Sequence, residues 1–226
     1  MTDAHCHVSC GDPTVREFLI GRDFVGIHPW ETLEKSADVL HSTLNTYRLS
    51  LESEPSLGIG EIGLDRLKER TISPLMREVF ETQLVLALKL NRPVILHGAK
   101  CWGEVVKTIQ TILRSSPSPL TFTSSFLFHG FSRSDGLIPD IVKLGGFISV
   151  GPAILNDHAV NYRELVRKIP LDRLLVETDR TETSADVSVR DVLAKTAELR
   201  GVPVDELEAM TDANATRFLL GRRDLV

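Results

Sequence analysis

Short apolar segments alternate along the chain with longer segments in which apolar side chains recur every three or four positions. The short segments predict strands, and the longer ones predict amphipathic helices. The strongest helix pattern covers residues 74–91, where Val79, Leu84 and Leu88 lie on one stripe. Because strands that alternate with helices are typical of a parallel sheet covered by helices, the pattern predicts an α/β protein.

No linker or low-complexity segment divides the chain, so residues 1–226 are predicted to form a single domain. The predicted strands are residues 2–7, 24–27, 57–61, 93–97, 122–129, 146–150 and 173–178. The predicted helices are residues 13–20, 31–50, 74–91, 102–114, 134–144, 160–168 and 188–220, the last broken in two near Gly201. We therefore expect a distorted (β/α)8 TIM-barrel-like fold. Its eighth strand is either too weak to show in the pattern, with the segment beyond Thr181 as its candidate place, or deleted with its helix, which would leave the barrel one strand–helix unit short.

Most predicted strands end in a histidine or an acidic residue. The residues at these ends are His5, His7, His28, Glu61, His97, His129 and Asp179. Strands of an α/β barrel deliver their C-terminal ends to one mouth, where active sites are built. Buried or solvated histidines have no reason to sort in this way. Four imidazoles and two carboxylates that converge there would form a two-metal site.

Spacing assigns provisional roles to the residues of the first strand. His5 and His7 are two positions apart, so their side chains share one face of a strand, together with Asp3. Asp3 is therefore a candidate to orient an imidazole through a hydrogen bond.

The two candidate carboxylates come from different strands. Glu61 follows a Gly-Ile-Gly segment, whose small residues let a carboxylate and metals approach the backbone. One carboxylate that bridges two metals would moderate their repulsion. Asp179 is a candidate ligand and general base. The alternatives are an ion pair of Glu61 with Arg66 or Lys68, and strand termination by a solvated Asp179.

The charge balance limits the possible partners. The net charge is −5, which excludes a nucleic-acid-binding surface spread over the whole protein. Four cations nevertheless lie within five residues of proposed ligands: Arg66, Lys100, Arg133 and Arg180. They predict a local cationic rim for a phosphorylated substrate, unless they are ordinary loop charges. Trp30 and Trp102 follow strand ends and are candidates for stacking on a nucleobase or for buried packing.

Localisation signals are also absent from the pattern. No apolar run approaches the ~18 residues that span a bilayer, and the N-terminus lacks the features of a signal peptide. The cysteines, Cys6, Cys10 and Cys101, are odd in number, which favours a reducing compartment over a disulfide framework. We therefore expect a cytoplasmic protein without a membrane partner. The pattern specifies no oligomeric state.

The order of the motifs resembles the TatD family of metal-dependent hydrolases, also called TatD-type DNases. The matching segments are D-A-H-C-H (3–7), G-I-H-P-W (26–30), G-I-G-E-I-G-L-D (58–65), R-P-V-I-L-H (92–97), F-H-G-F-S (128–132) and L-L-V-E-T-D (174–179). Helix segments 77–84 and 214–218 also resemble the family. Several motifs in one order are more specific than any single motif.

The resemblance implies a role for each matching residue. His5, His7 and Asp179 would hold one metal, His97 and His129 the other, and Glu61 would bridge, while Asp3 would support a ligand and His28 would contact substrate or phosphate. Family members have a distorted (β/α)8 barrel and hydrolyse phosphodiesters, commonly as Mg²⁺-dependent DNases with 3′–5′ exonuclease activity. The implied reaction here is phosphodiester hydrolysis in single-stranded DNA or nucleotides by a metal-activated water, with Asp179 as proton acceptor.

Three departures from the family pattern stand out. Only residues 8–27 separate His7 from His28, where the family fits an additional strand and helix. Lys100 stands near the position of the family arginine that follows the strand ending at His97. The segment after Asp179 reads Arg-Thr instead of the usual Ala-Pro.

The chemistry of the ligands bounds the cofactor, and related barrels supply the alternatives. Imidazole suits Zn²⁺ or Mn²⁺ and Mg²⁺ prefers oxygen, so two divalent ions of these kinds are expected. One alternative is an amidohydrolase acting on C–N or C–O bonds, although Glu61 stands where many of these have a carbamylated lysine. A PHP-type phosphoesterase would need more ligands. A relic barrel would bind nucleotides without turnover.

Overall fold

The structure, a computed structural model, describes residues 1–115, 125–184 and 187–221. Its strands are β1 (Thr2–Cys6), β2 (Arg16–Leu19), β3 (Phe24–Val25), β4 (Gly58–Asp65), β5 (Val94–Ala99), β6 (Phe126–Phe128), β7 (Phe147–Val150) and β8 (Leu174–Val176). Its helices are α1 (Glu31–Glu34), α2 (Ala37–Ser53), α3 (Pro74–Leu90), α4 (Trp102–Ser115), α5 (Ile138–Lys143), α6 (Val160–Lys168), α7 (Val189–Arg200) and α8 (Val204–Leu220).

All strand pairs in the described residues are parallel, and they form two sheets. The large sheet has the order β3-β4-β5-β6-β7-β8, and the small sheet pairs β1 with β2. At one seam between the sheets, Ile20 forms a single bridge with Phe24. At the other seam, the backbone N–H groups of His7 and Asp179 donate to the carbonyls of Arg180 and His5 at 2.8 and 2.9 Å. The result is the expected distorted TIM-barrel-like fold, with seams made of single contacts in place of full ladders.

The strongest predicted helix, 74–91, is confirmed as α3, and its ends show why it forms there. The Ser73 side chain accepts from the Met76 N–H, and Pro74 occupies the first turn, where it costs no hydrogen bond. Asn91 ends the helix in the left-handed region, at φ 51°. The apolar stripe that includes Leu84 is buried against the large sheet.

Apolar side chains occupy two layers. One layer lies between the large sheet and its helices. The other fills the inside of the barrel and is closed by α8, whose Phe218 lies about 6 Å from the rings of Phe18 and Phe24. This interior cluster supports the strands from within and leaves their C-terminal ends for polar side chains. None of the described helices is long and apolar enough to cross a membrane.

The helix predicted over residues 13–20 is wrong, and so is the count of seven strands. Residues Arg16–Leu19 form β2, whose Phe18 is buried in the barrel interior while Arg16 is exposed. The weak eighth strand therefore lies near the N-terminus. The described residues 7–23 contain no helix, so the short connection consists of a strand and turns.

Several element boundaries also differ from prediction. The helix predicted over 31–50 is split into α1 and α2, because the Ser36 side chain caps a new helix start. Strand β4 continues four residues beyond Glu61, to Asp65. Residues 122–124 of the strand predicted over 122–129 lie outside the described residues.

Candidate metal centre

The predicted ligands meet at the C-terminal ends of the strands, at one mouth of the barrel. His5 lies in β1, His7 directly after it, Glu61 in β4, His97 in β5, His129 directly after β6 and Asp179 three residues after β8. Glu61 is 3% exposed and His5 is fully buried. The structure therefore brings all six side chains together around one buried carboxylate.

One set of ligand atoms faces one oxygen of Glu61. Glu61 Oε2 lies 3.5 Å from both His5 Nε2 and His7 Nε2. Asp179 Oδ1 lies 3.4 Å from His5 Nε2 and 3.6 Å from His7 Nε2. His5, His7 and Asp179 form one candidate group for a metal ion, and Glu61 adjoins it.

The other oxygen of Glu61 faces a second set. Glu61 Oε1 lies 2.5 Å from both His97 Nδ1 and His129 Nε2. His28 Nε2 is 3.6 Å from the same oxygen and 3.4 Å from His97 Nδ1. Its expected role is a substrate contact, but this position makes His28 a further candidate ligand, grouped with Glu61 and His97.

The donor atoms fit divalent cations. Both ring nitrogens of His5 are buried and have no hydrogen-bond partner among the described residues, and the same holds for His129 Nδ1. Buried polar atoms without partners are costly and call for an explanation, such as an ion. Ligand atoms at ~2.1 Å from a tetrahedral ion lie roughly 3.4 Å apart, close to the separations around His5. The all-nitrogen and oxygen set suits Zn²⁺ or Mn²⁺ and admits Mg²⁺.

The charges of the site keep its central ligand ionised. Burial works against the Glu61 carboxylate, but the charge of His129 and hydrogen bonds from His129, His28 and His7 hold its pKa well below the usual value. Burial also opposes protonation of His129, yet Glu61 and Glu177 raise its pKa well above the usual value. A metal would therefore compete with protons for the imidazoles, whereas the Glu61 carboxylate is already ionised.

Asp65 orients His97, a role that the local sequence pattern does not predict. Its Oδ2 accepts from His97 Nε2 at 2.7 Å, and its Oδ1 accepts from the N–H groups of Leu67 and Lys68. Burial raises the pKa of Asp65, but these hydrogen bonds prevail and lower it to about 2. The bond leaves His97 Nδ1 to face Glu61. Because the predicted strand stops at Glu61, the shared face of positions 61 and 65 goes unnoticed; a longer strand would have revealed it.

Asp3 holds backbone in place, and no hydrogen bond to an imidazole is seen for it in the described residues. It accepts from the Thr178 N–H at 2.9 Å, from Thr178 Oγ1 at 2.6 Å and from the His5 N–H at 3.4 Å. Burial raises its pKa to about 7 against the effect of these bonds. Asp3 therefore ties β1 to the segment after β8, which positions His5 and Asp179 relative to each other.

Glu177 is a second buried carboxylate that no predicted role covers. It accepts from the Gly130 N–H at 2.7 Å and from Ser149 Oγ, and its Oε1 lies 3.7 Å from His129 Nδ1. Its placement two residues before Asp179 predicts a deeper position on the same face. The partners come from β7 and the loop after β6, which local sequence does not reveal.

The predicted cationic rim is only partly available for a substrate. Arg66 lies 3.8 Å from Glu104, and Arg180 donates to the Val187 carbonyl. Lys100 and Arg133 are exposed on the loops after β5 and β6, both in the left-handed region at φ 58° and 59°. These two therefore remain the candidates for contact with a phosphate.

The two tryptophans have different environments. Trp102 is buried and packs against Phe128 and Phe131, so it is not a stacking platform. Trp30 is 36% exposed beside His28, with the Lys68 ammonium 4.2 Å from the centre of its ring.

Comparisons with known proteins agree with this architecture. The family model described as TatD related DNase matches residues 21–220. A protein of Escherichia coli (strain K12), described as the uncharacterized metal-dependent hydrolase YcfH, is 31% identical over 90% of this chain and 77% of its own length. A Pantoea ananatis protein named 3′-5′ ssDNA/RNA exonuclease TatD is 27% identical over 85% of this chain and 75% of its own length.

A solved structure extends the likeness to three dimensions. The crystal structure of the TatD homologue YjjV from Escherichia coli K12 superposes with a TM-score of 0.71 and 27% identity, over 92% of this chain and 78% of that one. The family match spans most of the chain and includes four of the six predicted ligands. The chain therefore belongs to the family of TatD-related DNases, which are metal-dependent hydrolases.

Proposed function

We propose that the protein hydrolyses phosphodiester bonds in single-stranded DNA or nucleotides, as a 3′–5′ exonuclease that uses two divalent ions, Mg²⁺, Mn²⁺ or Zn²⁺. The observation that carries the proposal is the sharing of Glu61 by two sets of ligand atoms, one at each carboxylate oxygen. The exonuclease name of the Pantoea ananatis relative supports the choice of substrate.

The residues divide the work between metal binding and substrate. His5, His7 and Asp179 would hold one ion, His97 and His129 the other, with Glu61 between them and His28 beside the second. Bound ions supply Lewis-acid chemistry, which acidifies a water molecule and neutralises phosphate charge. Lys100 and Arg133, exposed at the mouth, attract the anionic substrate.

Asp179 suits the role of proton acceptor. Its side chain is 49% exposed at the mouth, although its Oδ1 faces His5 and His7. Burial of the carboxyl opposes ionisation, but the His5 imidazole 3.4 Å away lowers the pKa of Asp179 below the usual value. The carboxylate is therefore ionised at neutral pH and orients the attacking water and accepts its proton.

The test is metal-restored hydrolysis with product analysis. The protein is stripped with a chelator, reloaded separately with Mg²⁺, Mn²⁺ or Zn²⁺, and incubated with single-stranded DNA labelled at its 5′ end. We expect a ladder that shortens from the 3′ end only after reloading. A parallel assay with a lactone and an amide tests the amidohydrolase alternative; turnover of these without DNA cleavage would replace the proposal. Metal uptake without any turnover would indicate a relic that binds nucleotides.

A further inference from the structure

A groove of about 880 Å³ opens directly beside the metal centre. Its walls are the segments after β6, β7 and β8 and the first turn of α6, and Thr178 and Asp179 are among the residues that line it. Because Asp179 also belongs to the candidate metal centre, the groove and the centre are continuous. Its size falls within the ~300–1,000 Å³ of small-molecule sites.

The buried polar groups that line the groove already have hydrogen-bond partners within the protein. The two oxygens of Glu177 accept from the Gly130 N–H and from Ser149 Oγ. The Tyr162 hydroxyl accepts from the Gly151 N–H at 2.9 Å. These bonds join three loops, so the groove is preformed and a ligand need not order it.

The rim of the groove carries polar side chains that are free to meet a ligand. Arg133, His158 and Asn161 line it, all three exposed. Within the described parts of the chain, their side chains make no hydrogen bond or ion pair. Arg133 has a left-handed backbone, at φ 59°, which is strained for a residue other than glycine and is common at ligand sites.

A second surface adjoins the metal centre at His28 and has a different character. There Trp30 is 36% exposed, with the Lys68 ammonium 4.2 Å from the centre of its ring, and Lys68 is paired with Glu34 at 3.2 Å. A partly exposed aromatic ring suits the continuing strand, whose bases can stack on it. The groove, with walls from three strand ends, suits a single nucleotide.

We infer that the groove holds the 3′-terminal nucleotide that is cut off, with its phosphate between Asp179 and Arg133 and its sugar and base beside His158 and Asn161. The inference rests on the proposed function. In the reaction, the oxygen of water bonds to phosphorus, and the bond from phosphorus to the 3′ oxygen of the preceding nucleotide breaks. Asp179 takes the proton of the water, and the released 3′ oxygen gains one. The groove then contains a nucleoside 5′-monophosphate.

The experiment fills the groove without removing a contact. Ala153 is exposed on its wall, so Ala153→Trp should block it and Ala153→Ser should not. Arg133→Ala removes the cation, and Arg48→Ala, on the surface of α2, is the matched control. For each metal-loaded protein we would measure the Kd of thymidine 5′-monophosphate, kcat/KM on single-stranded DNA, and kcat/KM on methyl 4-nitrophenyl phosphate, which has no nucleoside.

We expect Ala153→Trp and Arg133→Ala to raise the Kd of the monophosphate at least about tenfold and to lower kcat/KM on DNA by a similar factor. Ala153→Trp should leave hydrolysis of the small diester unchanged, and both controls should resemble wild type. Unchanged Kd and DNA cleavage in Ala153→Trp would overturn the groove assignment. If the metal-loaded wild-type protein did not hydrolyse the small diester, the proposed function would be overturned instead. The Kd values of the monophosphate would still test the groove assignment.

Discussion

The small sheet and the large sheet deliver ligands to the same centre but are held in place differently. In the large sheet, each strand is followed by helical structure, and apolar side chains fill the space between strands and helices. The small sheet has no helix after β1 or between β2 and β3 in the described residues. Polar contacts hold it, among them Asp3 with Thr178 and Thr2 Oγ1 with Asp212 at 2.7 Å.

The difference shows which parts of a barrel a metal site needs. The small sheet places His5 and His7 against Glu61, although no helix follows β1 or β2 before β3 in the described residues. The interior aromatic cluster, to which Phe18 contributes, and the seam contacts suffice to aim the strand ends. The match to the family model begins at residue 21, so the family assignment rests on the large sheet and its helices. Each prediction below tests how independent the two sheets are.

The largest effect is expected from Glu61→Gln, because Glu61 faces ligand atoms from both sheets. The amide keeps the shape but loses the charge that two ions require. We expect most bound metal to be lost and phosphodiesterase activity to fall by at least ~10³-fold, equivalent to ~4 kcal/mol of transition-state stabilisation. Elemental analysis and kinetics check this. Full retention of one ion would show that one group of ligands holds its metal without the charge of Glu61.

Metal affinity should increase steeply with pH. The pKa of His7, on the small sheet, is raised, and the largest cause is its hydrogen bond with Glu61. Burial lowers the pKa of His97, but hydrogen bonds to Asp65 and Glu61 raise it above the usual value. Because their pKa values are raised, these imidazoles keep their protons to a higher pH without metal, and each proton that a metal displaces makes binding up to about tenfold tighter per pH unit. From pH 6 to pH 7 we expect a gain of more than tenfold.

Calorimetry of Mn²⁺ or Zn²⁺ binding in two buffers with different protonation enthalpies counts these protons. A binding enthalpy that does not depend on the buffer would contradict the prediction. Release of more than one proton is the expected result, because Glu61 raises the pKa of imidazoles from both sheets.

Two buried aspartates, one in each sheet, allow the orientation of a metal ligand to be tested separately from the attachment of a strand. Asp65 bonds directly to the ring of His97, so Asp65→Asn should weaken metal binding ~10–100-fold. Asp3 bonds to Thr178 and to backbone, so Asp3→Asn should change metal affinity less and stability more. Metal titration and thermal unfolding of both variants check this. Equal loss of metal affinity in both would show that strand attachment alone controls the site.

Much of the centre follows from sequence because each ligand ends or follows a short apolar run, and parallel strands bring such ends together. Strand β2 could not be predicted from the sequence pattern, because Phe18 is its one buried side chain. Its conformation depends on pairing with β1. The orienting role of Asp65 could be predicted only if β4 were known to continue to residue 65. The position of His28 near Glu61 Oε1 depends on a distance between β3 and β4, which local spacing does not contain.

The smallest effect tests the seam that attaches the small sheet. Thr178→Val keeps shape but removes the hydroxyl that donates to the buried Asp3 carboxylate at 2.6 Å. Leaving that oxygen without its partner should cost about 1–3 kcal/mol of unfolding free energy. Thr196→Val is the matched control in α7, because its buried hydroxyl donates only to the Val192 carbonyl of the same helix. That carbonyl keeps its helical partner, so the control should change stability by no more than ~0.5 kcal/mol. Denaturant unfolding of the metal-free proteins measures both, and equal losses would mean that the seam contributes no more than an ordinary helix contact.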